Sequence, residues 1–292
     1  MSVIAAEPAL IAAKPRSAQL RRFARRNPTI VAGGTILAII AALAIAAPLF
    51  AGDAITMQPA LRLRPPSEAN WFGTDHLGRD VFARTVYGAQ VSLFVGISVA
   101  AMSITGGLFI GLMSGYFRRV DAVVMRLMDG LMAIPAILLA IALVALTRTS
   151  VSTVIMAITI PEIPRVVRLV RAVVLSVREA PYVEAAIAGG TPTWKILARH
   201  ILPNTIAPLI VQATYICASA ILIEAALSFL GAGTPPEIPT WGNMIAQSRL
   251  FLSRAPWTIF CPGIALAMVV LAVNLLGDGL RDRLDPRLAR RM

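Results

Sequence analysis

NPTIVAGGTILAIIAALAIAAPLFAG, residues 27–52, carries no charged side chain. A helix needs about 20 mostly apolar residues to cross the hydrocarbon core of a bilayer, and this run is longer than that. It is also longer than the apolar core of a cleaved leader, about 7–15 residues, and follows a basic tail, so it reads as a retained first membrane helix. Charge-free runs of comparable length recur at 85–117, 130–147, 200–223 and 255–277. The whole chain is 57% hydrophobic and 14% charged, against about 25% charged in soluble domains. The runs are continuous rather than alternating with a period of two, which excludes a β-barrel. The fold class is therefore an all-α, multi-pass membrane protein.

Charge placement supplies a sixth crossing. Residues 150–163 are only 14 in number and are interrupted by Pro161 and Glu162, with Pro164 and Arg165 next. Lys and Arg concentrate before residue 27 (Lys14, Arg16, Arg21, Arg22, Arg25, Arg26), after residue 277 (Arg281, Arg283, Arg287, Arg290, Arg291) and between 165 and 199. Cytoplasmic segments carry the Lys/Arg excess, so both termini and the 165–199 segment are expected inside. That demands a crossing between Arg148 and Arg165, with Arg165, Arg168 and Arg171 snorkelling to the headgroups. The net charge of +12 is then a topology signal, and nucleic-acid binding is set aside for want of a soluble basic domain. The expected organisation is a cytoplasmic tail at 1–26, a first helix at 27–52, an outer segment at 53–88, a five-helix core at 89–280 and a second cytoplasmic tail at 281–292. A cytoplasmic loop at 178–203 interrupts the core.

That loop is elaborate for a turn. In EAAIAGGTPTWKILARHILPN, residues 184–204, Glu184 falls in the first turn of an alanine-rich helix begun by Pro181, where the helix dipole favours a carboxylate. Gly189-Gly190 ends that helix. Thr191 as N-cap and Pro192 at the first helical position are expected to start a second. Trp194, Leu197 and Ile201 are assigned to one face of it and Lys195 and Arg199 to another, with Pro203 closing the unit. Two readings fit a bare small-residue surface beside a basic amphipathic helix: docking to another protein, or anchoring on membrane lipid.

Glu184-Ala185-Ala186, then Gly190, then His200-Ile201-Leu202-Pro203 resembles the EAA loop of permease subunits in binding-protein-dependent ABC importers. FGTDHLGRDVFARTVYGAQVSL (72–93), MRLMDGLMAIPAILLAIALVAL (125–146), EAALSFLGAGTPPEIPTWGNMI (224–245) and NLLGDGLRDRLDPRL (274–288) are similar to segments of the second permease of dipeptide, oligopeptide and nickel importers. The chain departs from that pattern at 163–165, where an aromatic residue and a glycine are expected. The resemblance implies a type I ABC importer permease fold of six spans in a bacterial inner membrane. It implies assembly with a second permease subunit, two ATP-binding subunits and an external solute-binding protein. ATP and Mg would be bound by the partner ATPase, which grips the EAA loop.

The residues themselves offer no energy source. There is no G-x-x-x-x-G-K-[ST] phosphate loop and no nucleophile–base pair, and His76 and His200 fall on opposite sides of the expected topology. The chain therefore reads as a transport subunit rather than an enzyme, with no cofactor or metal of its own. Cys217 and Cys261 lie inside spans without metal-ligand spacing. An ion-coupled carrier would place ionisable groups near the bilayer midplane. Asp129 and Glu162 sit near arginines and read as paired boundary residues, Asp129 with Arg126 and Glu162 with Arg165. Glu224 and Asn274 remain as pathway or subunit-contact candidates. Gly106, Gly107, Gly111 and Gly115 suit close helix packing, plausible against a partner permease. The outer segments, with Pro65, Pro66, Trp71, Asp75, Arg79 and Asp80 in one and Pro235, Pro236, Pro239 and Trp241 in the other, either meet a receptor or cover the ends of the spans.

Overall fold

The structure, a computed structural model, describes residues 24–284. Lys14, Arg16, Arg21 and Arg22 of the expected N-terminal tail and Arg287, Arg290 and Arg291 of the C-terminal one lie outside the described residues. Every regular element among the described residues is a helix. In chain order the α-helices are α1 (Pro28–Phe50), α2 (Val81–Tyr116), α3 (Arg118–Met132), α4 (Ala136–Ala145), α5 (Val151–Arg178), α6 (Pro181–Ala188), α7 (Thr193–Ile196), α8 (Leu202–Phe229), α9 (Trp241–Ser248) and α10 (Trp257–Leu284), with shorter helical turns at Pro59–Leu61, Leu197–Ile201 and Arg249–Phe251. Large apolar side chains stay exposed along the long helices, among them Ile45, Leu49, Phe94, Ile97, Phe109, Phe260 and Leu271. Such an exterior suits lipid rather than water.

A glycine seam sets the centre of the bundle. Gly107, Gly111 and Gly115 recur every four residues on α2 and meet Val166, Val170 and Val174, spaced likewise on α5. A Cβ added at Gly111 would lie 2.7 Å from Val170 Cβ, and one at Gly115 would lie 2.6 Å from Val174 Cβ. The three valines are fully buried. Small residues let two helices approach in this way, since van der Waals packing is what holds helices together in lipid. Rising numbers match rising numbers, so α2 and α5 run parallel.

The contacts of α1 with α10 and of α2 with α8 are antiparallel. Gly33 of α1 abuts Ala272 and Leu276 of α10, while Gly279 abuts Thr29 and Ile30. Gly96 of α2 meets Cys217 and Ile221 of α8, whereas Gly88 at its other end meets Trp241, whose neighbour Gly242 rests on Ala225. Because α2 and α5 run the same way, the chain between them must return, and α4 makes that return. By the same count the turn between α5 and α8, which holds α6 and α7, lies at the end of the bundle shared by the start of α1 and the close of α10.

The expected third and fourth spans are drawn differently. The apolar run at 130–147 does not form one helix. It breaks at Pro135, and α3 and α4 meet at 87°. Proline lacks the N–H that a helix interior needs and disfavours helical backbone just before it. The ten residues of α4 span about 15 Å, half of a bilayer core. By contrast α5 continues through Pro161 and Pro164 for 28 residues. Its arginines are not simply snorkelling: Arg171 donates to Asp121 at 2.5 and 2.7 Å, and Arg168 donates to Asp129 at 2.6 Å. Asp129 thus pairs across helices and not with its neighbour Arg126. Among the described residues four helices are long and apolar enough to cross a membrane, or five if the bent α3–α4 pair is one span. The charges on α5 keep it out of that set. α2 begins inside the expected 53–88 segment, at Val81, because Asp80 caps it by accepting from the Phe82 and Ala83 N–H groups.

Candidate functional site

The loop between α5 and α8 is built of two short helices packed onto the bundle. In α6, eight residues long, Pro181 occupies the first turn. The helix closes with Gly190 N–H on Ile187 O and Thr191 N–H on Ala186 O, the paired bonds of a Schellman turn. Gly190 takes φ +75°, and a Cβ there would meet nothing within 4 Å. The second helix begins later than its sequence suggests. Pro192, not Thr191, is the N-cap, without a side-chain cap bond, and α7 covers only Thr193–Ile196. A wide turn at Leu197–Ile201 then leads straight into α8, so Pro203 lies in the first turn of a continuing helix instead of closing a unit. The Asn204 side chain donates to the His200 carbonyl at 2.6 Å.

Three side chains anchor this body: Val183, Ile196 and Ile201 are buried in the main core. The wide turn changes the expected face. Ile196 is buried where Trp194 was expected, and Trp194 stands 66% exposed with the Lys195 ammonium over its ring. Tyr182 packs near the His200 ring at 6.1 Å and accepts from Asn204 at 3.4 Å, tying α6 to α8. Ile201 is buried on the apolar face that the sequence assigns, whereas the sequence carried no signal for the Tyr182–His200 contact or the Asn204 bond. Glu184, Ala185, Ala188, Gly189 and Gly190 face outward, Ala186 and Leu202 are half-buried, and Pro203 is exposed. The Glu184 carboxylate makes no hydrogen bond or ion pair among the described residues. The surface left open is small-sided, with the Glu184 carboxylate and an exposed Ile187 and Trp194.

The membrane carboxylates sit apart from that loop. Glu162, 1% exposed, pairs with Arg165 at 3.1 Å as its sequence neighbourhood suggests. Glu224 is fully buried within this chain and accepts from Ser228 at 2.9 Å, so it presents no surface to a pathway or a neighbouring subunit in this structure. Asn274 is half-buried on α10.

At the opposite end of the bundle the two segments expected to lie outside fold over the helices. Trp241 donates to Thr85 O at 2.9 Å and Trp257 to Thr74 O at 3.2 Å. Asp75 and Arg79 are buried and paired at 2.7 Å. Of the residues singled out there, Asp75, Arg79 and Trp241 are buried over helix ends, whereas Pro65, Pro66, Trp71 and Pro236 are exposed. His76 stacks on Phe251, ring centroids 5.5 Å apart, and burial pushes its imidazole below the ordinary value of 6.5.

Residues 103–290 match the family model described as a binding-protein-dependent transport system inner membrane component. The chain belongs to that family. A probable peptide ABC transporter permease, y4tQ, of Sinorhizobium fredii is 60% identical over 270 residues, covering 92% of this chain and 93% of the relative. The dipeptide transport system permease DppC of Alkalihalophilus pseudofirmus is 44% identical, covering 90% and 88%. The oligopeptide transport system permease OppC of Bacillus subtilis is 37% identical, covering 91% and 88%. The solved MetNI methionine ABC transporter, in an inward-facing form, aligns with a TM-score of 0.53 at 18% identity over 69% of this chain and 96% of that chain. The fold is thus that of an ABC importer permease. As a member of this family the chain is a membrane transport subunit and not an enzyme. The family match opens inside α2 and takes in α3 to α10, so it contains the whole coupling-loop candidate and leaves α1 and the first outer segment ahead of it.

Proposed function

We propose that the chain is one of two permease subunits of an ATP-driven importer for di- or oligopeptides, driven through the α6–α7 loop. The observation that carries this reading is the loop itself. It is locked to the core by Val183, Ile196 and Ile201, yet it exposes Glu184, Ala185, Gly189 and Gly190. A rigid foot with a bare upper surface transmits a push to α5 and α8, whereas a floppy one would absorb it. The peptide assignment follows the names of the relatives; nickel or another small solute is the alternative substrate, and the chemistry of the loop is the same for each.

In this reading six crossings alternate, with α3–α4 as a broken third and α5 as a charged fourth. The Lys/Arg distribution puts the loop and both termini in the cytoplasm of a bacterium. A second permease would complete the pathway and an external solute-binding protein would deliver the peptide. Two ATPase subunits would bind ATP and Mg, and their closure would swing the loop and switch the pathway between inward- and outward-facing states. An ion-coupled carrier is disfavoured by the state of its candidate carboxylates, Asp129 and Glu162 ion-paired and Glu224 buried in the core.

Co-purification tests the proposal. The full-length chain, expressed with its partner subunits, should retain an ATPase in detergent. Glu184→Lys should release that ATPase while membrane insertion is unchanged. Uptake that persists without ATP and collapses with the proton gradient would overturn the reading.

A further inference from the structure

The helix α3 has three faces, and the bundle uses only one of them. Met128 is buried, Met125 is half-buried, and Asp121 on the same side accepts from Arg171 Nε and Nη2. Asp129 accepts from Arg168 at 2.6 Å, so both acids of α3 are neutralised by α5. A second ridge is Val120, Val123 and Leu127, whose spacing of three and four puts them on one side of a helix. They are 39%, 71% and 61% exposed. The third face carries Arg119 and Arg126, about two turns apart, with Arg118 beside them. All three arginines are exposed, and none makes a hydrogen bond or ion pair among the described residues. The open surface of α3 is thus a large-sided apolar ridge flanked by three unbalanced cations.

Orientation decides what covers that surface. α3 follows α2 after the single residue Phe117 and meets α4 at 87°. With α4 crossing the bilayer, α3 lies nearly in the membrane plane, at the end of the bundle where Arg178 of α5 donates to Tyr116 O. An amphipathic helix in that position sets its apolar face about 5–10 Å into the boundary between headgroups and acyl chains and keeps its cations among the headgroups. The depth also accounts for α4. A chain that starts from that level has less hydrocarbon left to cross, and the ten residues of α4 cover only about 15 Å. A second subunit suits this face less. Helices in lipid meet through small residues, whereas Val123 and Leu127 hold a neighbour off and the arginines would need carboxylates in it. We propose that α3 is an in-plane interfacial helix whose Arg118, Arg119 and Arg126 bind the phosphate headgroups of anionic phospholipids, with Val120, Val123 and Leu127 among the acyl chains. Each cation held near an anionic leaflet adds to the attraction. The inference rests on the membrane character of the chain and is independent of how transport is powered.

The test is the quenching of a bimane on α3 in the full-length chain, co-expressed with its partner subunits and reconstituted in vesicles. Cys217 and Cys261 are first changed to alanine, and Val123→Cys then carries the probe. Two preparations hold phosphatidylcholine and phosphatidylglycerol in equal amounts, with bromine on the acyl chains of one lipid or of the other. Bromine quenches the probe in both, and by about twofold more when phosphatidylglycerol carries it. A probe at Leu127→Cys behaves alike, because the two positions lie at one depth. Arg118→Gln, Arg119→Gln and Arg126→Gln together make the two preparations equal while the probe stays quenched. Equal quenching with the arginines intact shows lipid contact without a headgroup site and overturns the assignment, whether or not the triple variant assembles. A probe that bromine does not reach overturns it too: quenching by aqueous iodide puts α3 in water, and protection from both quenchers puts it against another subunit. No ATP enters the readout, so the result stands whichever way the import proposal falls.

Discussion

Substitutions at Gly190 separate a turn residue from a docking surface, because the two roles rank the same side chains in opposite order. The residue takes φ +75°, and within this chain an added Cβ has nothing within 4 Å. Any intramolecular penalty therefore comes from backbone conformation alone. The left-handed region costs a residue with a Cβ about 1–2 kcal/mol, and the several-fold enrichment of asparagine there returns about 0.7–1 kcal/mol. Gly190→Ala should lower the thermal midpoint by about 2–8 °C and Gly190→Asn by less. Docking reverses this order. The alanine methyl adds little to the surface beside Glu184 and Gly189, whereas the asparagine amide stands where an ATPase surface would close on the loop. ATP-dependent peptide uptake by the assembled transporter in liposomes should thus fall more for Gly190→Asn than for Gly190→Ala, although the asparagine variant is the more stable. If uptake instead ranks with the midpoint, asparagine above alanine, Gly190 is only a helix terminator and the docking argument fails.

Two further outcomes follow from the packing. Gly111→Leu drives a side chain into Val170 and the Val167 carbonyl and should destabilise the chain by about 1–3 kcal/mol, read as a lower unfolding midpoint in detergent. Gly130→Ala, where nothing lies within 4 Å, should be neutral or gain up to about 1 kcal/mol from helix propensity. His76 is held neutral by burial, so the unfolded chain binds the proton more readily than the folded one. Its contribution to stability is complete above pH 6.5 and is lost as pH falls from 6.5 through the lower folded value. Unfolding midpoints of the wild type should drop across that interval, and those of His76→Gln should stay level.

Membrane character and the presence of a built loop were legible in the chain because they rest on local, additive properties. A charge-free run such as residues 27–52 has to leave water wherever it folds, and Gly189-Gly190 ends a helix by its own backbone freedom. The family resemblance was legible for the same reason, carried by contiguous segments including the whole loop. Tertiary structure alone decided what depends on partners distant in sequence. Arg168 and Arg171 look like snorkelling cations until Asp129 and Asp121 are placed across from them, 39 and 50 residues away. Glu224 looks like a pathway carboxylate until the chain closes over it, and Arg84 finds its acceptor, the Ala54 carbonyl 30 residues away, only in the folded chain. Charge and apolarity act through composition and can be read along a line; the pairing of a buried charge is a distance in three dimensions, and no local pattern encodes it.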